Sequence, residues 1–118
     1  MDKKTIGLNG EQAAAAYLKN KGFKIIQANY RMAGAEVDII ASTGDILCFI
    51  EVKTRKTCDY GAPEAFVTRA KQLKIIRAAK VFSARKPYRQ YRVRFDVVSV
   101  LRSTDAMACD HLENAFEE

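Results

Sequence analysis

EVDIIASTGDILCFIEVKT, which spans residues 36–54, contains the two clearest strand patterns in this chain. Both halves of the segment are rich in Ile, Val, Leu and Phe, which is typical of strands. Between the halves, Gly44-Asp45 has the composition of a two-residue hairpin turn. We therefore predict a β-hairpin whose strands run from Glu36 to Ser42 and from Ile46 to Thr54.

The turn also predicts which residues of the hairpin face each other. If Gly44-Asp45 forms the turn, Thr43 pairs with Ile46, and the pairs continue outward one by one. Further from the turn, this register places Asp38 opposite Glu51. A three-residue turn would shift the register by one and mix polar with apolar partners on one face, so we prefer the first register.

In that register Glu36 lies opposite Lys53, beyond the pair of carboxylates. Like charges that face each other across two strands are destabilising, so the pair of Asp38 and Glu51 needs an explanation. A shared proton, a neighbouring cationic side chain or a metal ion could each offset the repulsion. Mg²⁺ suits best, because it binds through one or two carboxylates and keeps several waters. The simpler alternative is a solvated charge cluster on an exposed face.

The remaining segments predict a mixed sheet flanked by helices, an α/β fold. The predicted order is α-β-β-β-α-β, in one domain covering residues 1–118. The elements outside the hairpin are a helix capped by Asn9 and ending before Gly22, a strand over 23–31, a helix starting near Thr68, a strand over 91–100 and a short helix over 105–118.

Charge is distributed unevenly along the chain. The net charge is +6, and half of the 20 basic residues fall between residues 65 and 95, where Asp and Glu are absent. A basic surface of this kind favours nucleic acid as a partner, and we expect Arg55, Lys71, Lys74 and Arg77 to contact phosphates. A solvated basic face and an acidic protein partner are the alternatives.

Several other classes of protein fit the sequence poorly. The three cysteines show no metal-type spacing, and His111 is the only histidine, so a structural zinc site is not expected. No apolar run approaches the roughly 20 residues of a membrane span, and the first residues do not form a signal-peptide core. We therefore expect a cytoplasmic protein that does not interact with membranes.

Asp38 followed by Glu51-Val52-Lys53 resembles the D…(D/E)-x-K signature of restriction-endonuclease-like nucleases. Over most of its length the chain is also similar to the YraN family, small bacterial proteins of this superfamily, which in turn resembles archaeal Holliday-junction resolvases. The matching stretches include Gly10-Glu11, Gly22-Phe23, Asn29-Tyr30-Arg31, the two hairpin strands, Arg94–Val98 and His111–Phe116.

The resemblance implies roles for five residues. Glu11, Asp38, Glu51 and the carbonyl of Val52 would bind Mg²⁺ or Mn²⁺, and Lys53 would be the catalytic lysine. Without the resemblance, Glu11 would be assigned to the dipole of the first helix.

The activity implied is an endonuclease acting on structured or branched DNA, with DNA favoured over RNA. A catalytically inactive nucleic-acid-binding module is the alternative. By analogy with the resolvases, we also expect a homodimer.

Overall fold

The computed structural model describes residues 3–32, 34–56, 67–103 and 106–118, with side chains from Gly10 onward. Neither helix in these ranges is both long and apolar enough to cross a bilayer. The elements are α1 (Lys3–Asn20), β1 (Lys24–Met32), β2 (Ala35–Thr43), β3 (Ile46–Arg55), α2 (Arg69–Ser83), a 3-10 turn (Lys86–Tyr88), β4 (Arg92–Arg102) and β5 (Met107–Phe116).

The five strands form one mixed sheet in the order β1-β2-β3-β4-β5. Strands β3 and β4 are parallel, and the other neighbours are antiparallel. A parallel pair needs a crossover connection, and α2 lies in the segment that joins β3 to β4. The architecture is consistent with a restriction-endonuclease-like fold, so the predicted fold class is confirmed.

One helix covers each face of the sheet. On one face, Ala14 and Leu18 of α1 pack against a cluster that includes Ile39, Ile50 and Val98. On the other face, α2 packs against β2, β3 and β4 through its buried residues, which are Ile75, Ile76, Ala78, Ala79 and Phe82. Burial on both faces explains why β3 is almost continuously apolar from Leu47 to Ile50.

The hairpin has the predicted register over five residue pairs. Thr43 pairs with Ile46 at the turn, and the last pair of the ladder is Ile39 with Ile50. The ladder therefore ends one pair before Asp38 and Glu51. Glu36 does not pair with Lys53, because the ladder between β2 and β3 ends at Ile39. On the β1 side of the strand Glu36 lies opposite Arg31, with 3.7 Å between Arg31 Nε and Glu36 Oε2.

The predicted start of α1 is wrong. The helix begins at Lys3, so Asn9 and Gly10 lie inside it and Asn9 is not an N-cap. Glu11 is consequently too far from the helix start for a role at the helix dipole, which acts within the first turn. Gly10 lies against β3, where an added Cβ would overlap Oγ1 of Thr54. Close packing on the sheet therefore explains this glycine within the helix.

The predicted C-terminal helix is also wrong, because residues 107–116 form the edge strand β5. This strand is anchored by Asp96 of β4, whose side chain is fully buried. Arg94 donates to both carboxylate oxygens of Asp96 at 2.9 Å, and the backbone N–H of Asn114 donates to Oδ1 at 3.0 Å. Asn114 lies 18 residues from Asp96 in the chain, so the local sequence pattern does not reveal this contact.

His111 of β5 is the third partner of Asp96, at 2.7 Å from Nε2 to Oδ2. On its other side, His111 Nδ1 lies 2.8 Å from Nζ of Lys21. A lysine ammonium can only donate, so Nδ1 accepts and Nε2 carries the proton that is donated to Asp96. The sequence offered no carboxylate partner for His111. The structure supplies one and assigns the histidine to the anchoring of β5.

We predict that His111→Ala lowers the free energy of unfolding by about 3 kcal/mol, because it leaves a buried carboxylate without one of its donors. Urea denaturation measures the loss, with Asp110→Ala on the same strand as an exposed control.

Burial would raise the pKa of Asp96, but hydrogen bonds from His111, Arg94 and Asn114 outweigh it and hold the pKa below 3.8.

The contribution of ionised Asp96 to the free energy of unfolding is therefore complete above pH 3.8 and decreases as the pH falls through the folded-state pKa of Asp96. A loss for His111→Ala no larger than that of the control would contradict the anchoring role.

Candidate metal and phosphate site

The site begins where β2 separates from the hairpin ladder. Val37 packs in the cluster beneath α2, whereas Ile39 packs in the cluster beneath α1. Residues two apart on a regular strand share a face, so the alternation of the β2 side chains between the two faces of the sheet is interrupted at Asp38. On the neighbouring strand, Asn29 has φ of 54°, in the left-handed region that asparagine tolerates better than most residues.

Asp38 takes the place of a backbone partner for β3. Its Oδ2 accepts a hydrogen bond of 2.7 Å from the backbone N–H of Val52. The N–H and C=O of a strand residue point toward the same edge, so the Val52 carbonyl also faces the β2 side. The structure thus brings Asp38 and the Val52 backbone together, as the resemblance implied.

Glu51 is the most deeply buried acid of the site, with 5% of its side chain exposed. Its Oε1 lies 2.7 Å from Nζ of Lys71 on α2 and 3.7 Å from Nζ of Lys53. Its Oε2 is also buried and has no hydrogen-bond partner in the described parts of the chain. A buried carboxylate oxygen without a donor is unfavourable, and a cation at this oxygen would remove the penalty.

Two further acids approach from α1 and β2. With its amide nitrogen turned toward the carboxylates, Asn29 donates to Glu11 Oε2 and to Glu36 Oε1, each at 3.2 Å. Burial, followed by the charges of Glu36 and Glu51, raises the pKa of Glu11 above 4.5. Glu11 therefore belongs to the same electrostatic cluster as Glu51. Asn29 lies in a stretch that resembles the YraN family, but its role could not be predicted from the sequence, because it depends on a contact between three elements.

The pKa of the Asp38 carboxyl group reflects its burial and the charges that surround it. Burial and then the charge of Glu51 raise its pKa to about 7, although the hydrogen bond from Val52 acts in the opposite direction. The folded-state pKa lies above the ordinary 3.8, so this group makes folding less favourable as the pH rises from about 4 to above 7. Near neutral pH the cluster therefore binds either a proton or another cation.

The donor set fits a hard divalent cation. In the described ranges, no group of three or more His, Cys, Asp or Glu side chains is arranged to hold a metal ion as it stands. Mg²⁺ does not need such a group, because it binds through one or two carboxylates and keeps several waters. Asp38, Glu51 and the Val52 carbonyl offer oxygen atoms only, which suits Mg²⁺ or Mn²⁺ better than zinc.

A groove of about 430 Å³ opens beside Asp38. It runs between β2 and the first turns of α2 and is lined by Glu36, Asp38, Thr68, Lys71 and Lys74, among others. Lys71 points inward to Glu51, so it is part of the carboxylate cluster as well as of the groove. Burial alone would lower the pKa of Lys71, but the hydrogen bond to Glu51 and the charges of Glu51 and Asp38 raise it above 10.5.

The basic residues of segment 65–95 do not form one uniform surface. Among the described residues, five of them pair with an oxygen atom of a residue outside this segment, namely Arg69 with the carbonyl of Glu117, Lys71 with Glu51, Lys80 with Glu118, Arg92 with Asp45 and Arg94 with Asp96. Lys74 and Arg77 are exposed on α2 and have no ion pair with any described residue. Arg55 is half-buried at the end of β3.

Residues 10–100 match the model of the Uncharacterised protein family UPF0102. The chain belongs to this family. The match includes both strands of the hairpin and the whole of α2, and it confirms the expected YraN family.

Relatives in this family align over nearly the full length of the chain. The UPF0102 protein GSU0650 of Geobacter sulfurreducens is 45% identical over 115 residues, which cover 97% of this chain and 90% of that protein. The UPF0102 protein TTE1452 of Caldanaerobacter subterraneus subsp. tengcongensis is 38% identical and covered to 98% on both sides. A UPF0102 protein of Dictyoglomus thermophilum is 41% identical, over 98% of this chain and 100% of that protein.

We predict that Glu51→Gln lowers the pKa of Asp38 from about 7, because it removes the charge that repels the ionised form. Carbon-13 NMR titration of the side-chain carboxyl measures the shift. Glu36→Gln is the control, since Glu36 lies on the same strand but is not among the groups that shift this pKa. A wild-type Asp38 that titrates near 4 would contradict the crowded arrangement.

Proposed function

We propose that this chain is a Mg²⁺- or Mn²⁺-dependent endonuclease that hydrolyses phosphodiester bonds in structured or branched DNA. The observation that supports this proposal most strongly is the pair of Asp38 and Glu51 at the open end of the hairpin. One carboxylate is fixed by the Val52 N–H, and the other has a buried oxygen without a donor among the described residues. Nζ of Lys53 lies 3.7 Å from Oε1 of Glu51, so a cation is available beside the acid pair to stabilise charge at a phosphate.

We assign each residue of the site a role in hydrolysis that its position supports. Asp38, Glu51 and the Val52 carbonyl would hold the metal, and Glu11 would add negative charge from α1. The bound ion would supply Lewis acidity and neutralise charge at the phosphate. Lys53, whose side chain is 28% exposed, is positioned to stabilise the extra negative charge of the transition state from the protein side.

The substrate class is proposed from the groove and from the resemblance. Asp38 and Lys74 both line the groove, so the groove offers a cation for a phosphate beside the acid pair. Lys74 and Arg77 on α2 supply exposed positive charge. The preference for branched DNA, and for DNA over RNA, rests on the similarity to Holliday-junction resolvases, as does action as a homodimer on two strands.

One observation favours the alternative of a binding module that does not cut. The ammonium of Lys71 already neutralises Glu51 at 2.7 Å, so the cluster has an internal cation that does not depend on a metal. A module of this kind would bind nucleic acid through Lys74 and Arg77 and would keep its affinity after substitution of Asp38.

We expect purified protein with Mn²⁺ or Mg²⁺ to cleave four-way-junction DNA faster than plain duplex. Asp38→Ala, Glu51→Ala and Lys53→Ala should each lower the cleavage rate by about 100-fold or more, because the first two remove a metal ligand and the third removes the charge-stabilising lysine. Gel assays on junction, duplex and single-stranded DNA measure the rates. Asp45→Asn, at the opposite end of the same hairpin, is the acidic control and should cleave normally.

Cleavage that is absent, or that persists in Asp38→Ala and Glu51→Ala, contradicts the nuclease proposal. Salt-dependent binding that is intact in Asp38→Ala but weakened in Lys74→Ala would then support the binding module.

A further inference from the structure

Lys71 stands apart from the other basic residues of α2. Its Nζ is 2.7 Å from Oε1 of Glu51, a residue twenty positions earlier in the chain and on a different layer of the fold. The side chain is 42% exposed, so the ammonium reaches from the groove into the buried carboxylate. Lys53, the lysine of the motif, is 1.0 Å further from the same oxygen. Lys71 is therefore the main counter-ion of Glu51.

A divalent ion and this ammonium compete for one negatively charged cluster. A monocation and a dication about 4 Å apart repel each other strongly, even at the effective dielectric of a protein surface. A metal bound by Asp38 and Glu51 would thus weaken the hold of Glu51 on Lys71. The lysine stem starts from α2 and lines the groove, so a small rotation would bring the ammonium toward a phosphate in that groove.

We propose that Lys71 is an exchangeable counter-ion, which neutralises Glu51 in the metal-free protein and moves to a substrate phosphate when a divalent metal binds. This inference rests on the proposed metal site and adds a substrate-binding residue to it. It makes metal and nucleic acid bind with positive coupling, because the metal releases the cation that the phosphate then uses. It also explains how a buried acid pair remains folded without metal.

The first test is Mn²⁺ binding to the wild type and to Lys71→Met, followed by calorimetry or electron paramagnetic resonance. Met keeps the apolar stem and removes the competing charge, so the variant should bind Mn²⁺ about tenfold more tightly. Its melting temperature should also rise more than that of the wild type when Mn²⁺ is added. Lys74→Met, one turn further along α2 in the same groove, is the matched control and should bind Mn²⁺ as the wild type does.

The second test follows the ammonium itself. In nitrogen-15 NMR, the Lys71 ammonium should give a protected signal in the metal-free protein, and Mg²⁺ should abolish the protection. With Ca²⁺ in place of Mg²⁺ to bind DNA without rapid cleavage, the metal should strengthen DNA binding in the wild type. Lys71→Met should lose most of that strengthening. Lys74→Met should bind DNA more weakly with and without metal, but the factor by which the metal strengthens binding should stay as in the wild type.

The outcomes separate this inference from the nuclease proposal. If wild type and Lys71→Met both fail to bind Mn²⁺, the metal site itself is wrong, and the exchange fails with it. If the wild type binds Mn²⁺ but Lys71→Met binds no more tightly than Lys74→Met, only the exchange is overturned. A Lys71 ammonium that stays protected at saturating Mg²⁺ overturns it as well.

Discussion

The backbone N–H of Val52 donates to the side-chain carboxylate of Asp38 instead of to a backbone carbonyl of β2, and the candidate site depends on this hydrogen bond of 2.7 Å. It fixes one acid at the end of the hairpin ladder, directly after the pair of Ile39 and Ile50. Glu51 follows Ile50 in β3, so two carboxylates are forced together in a poorly solvated place. Burial, followed by the charge of Glu51, raises the pKa of Asp38 to about 7, and the fold must supply cations.

The sheet holds this arrangement rigid from both sides. Strand β3 is central, with β2 on one side and β4 on the other, and a helix packs on each face. The close approach of α1 at Gly10 brings Glu11 toward the site, and α2 brings Lys71 from the opposite layer. At the far edge, Asp96 ties β5 to β4, which completes the sheet around the central strand.

Sequence reasoning succeeded where the controlling interactions are local. The Gly44-Asp45 turn and the alternation of the two strands were enough to predict the hairpin register. It failed where distant residues decide the structure: the prediction of a helix over 105–118 is wrong because Asp96, which anchors β5 through His111 and Asn114, lies on another strand. The partnership of Lys71 with Glu51 crosses two layers, and no pattern in a single sequence marks it. The roles of Asp38, Glu51 and Lys53 in catalysis stay predictions.

The most direct measurement of the central claim is anomalous diffraction from crystals soaked in Mn²⁺. We predict one peak between the carboxylates of Asp38 and Glu51, within bonding distance of both, and a Lys71 ammonium that has left Glu51. A crystal at saturating Mn²⁺ with no peak there, and with Lys71 still 2.7 Å from Oε1 of Glu51, would contradict the claim that this acid pair is a metal site.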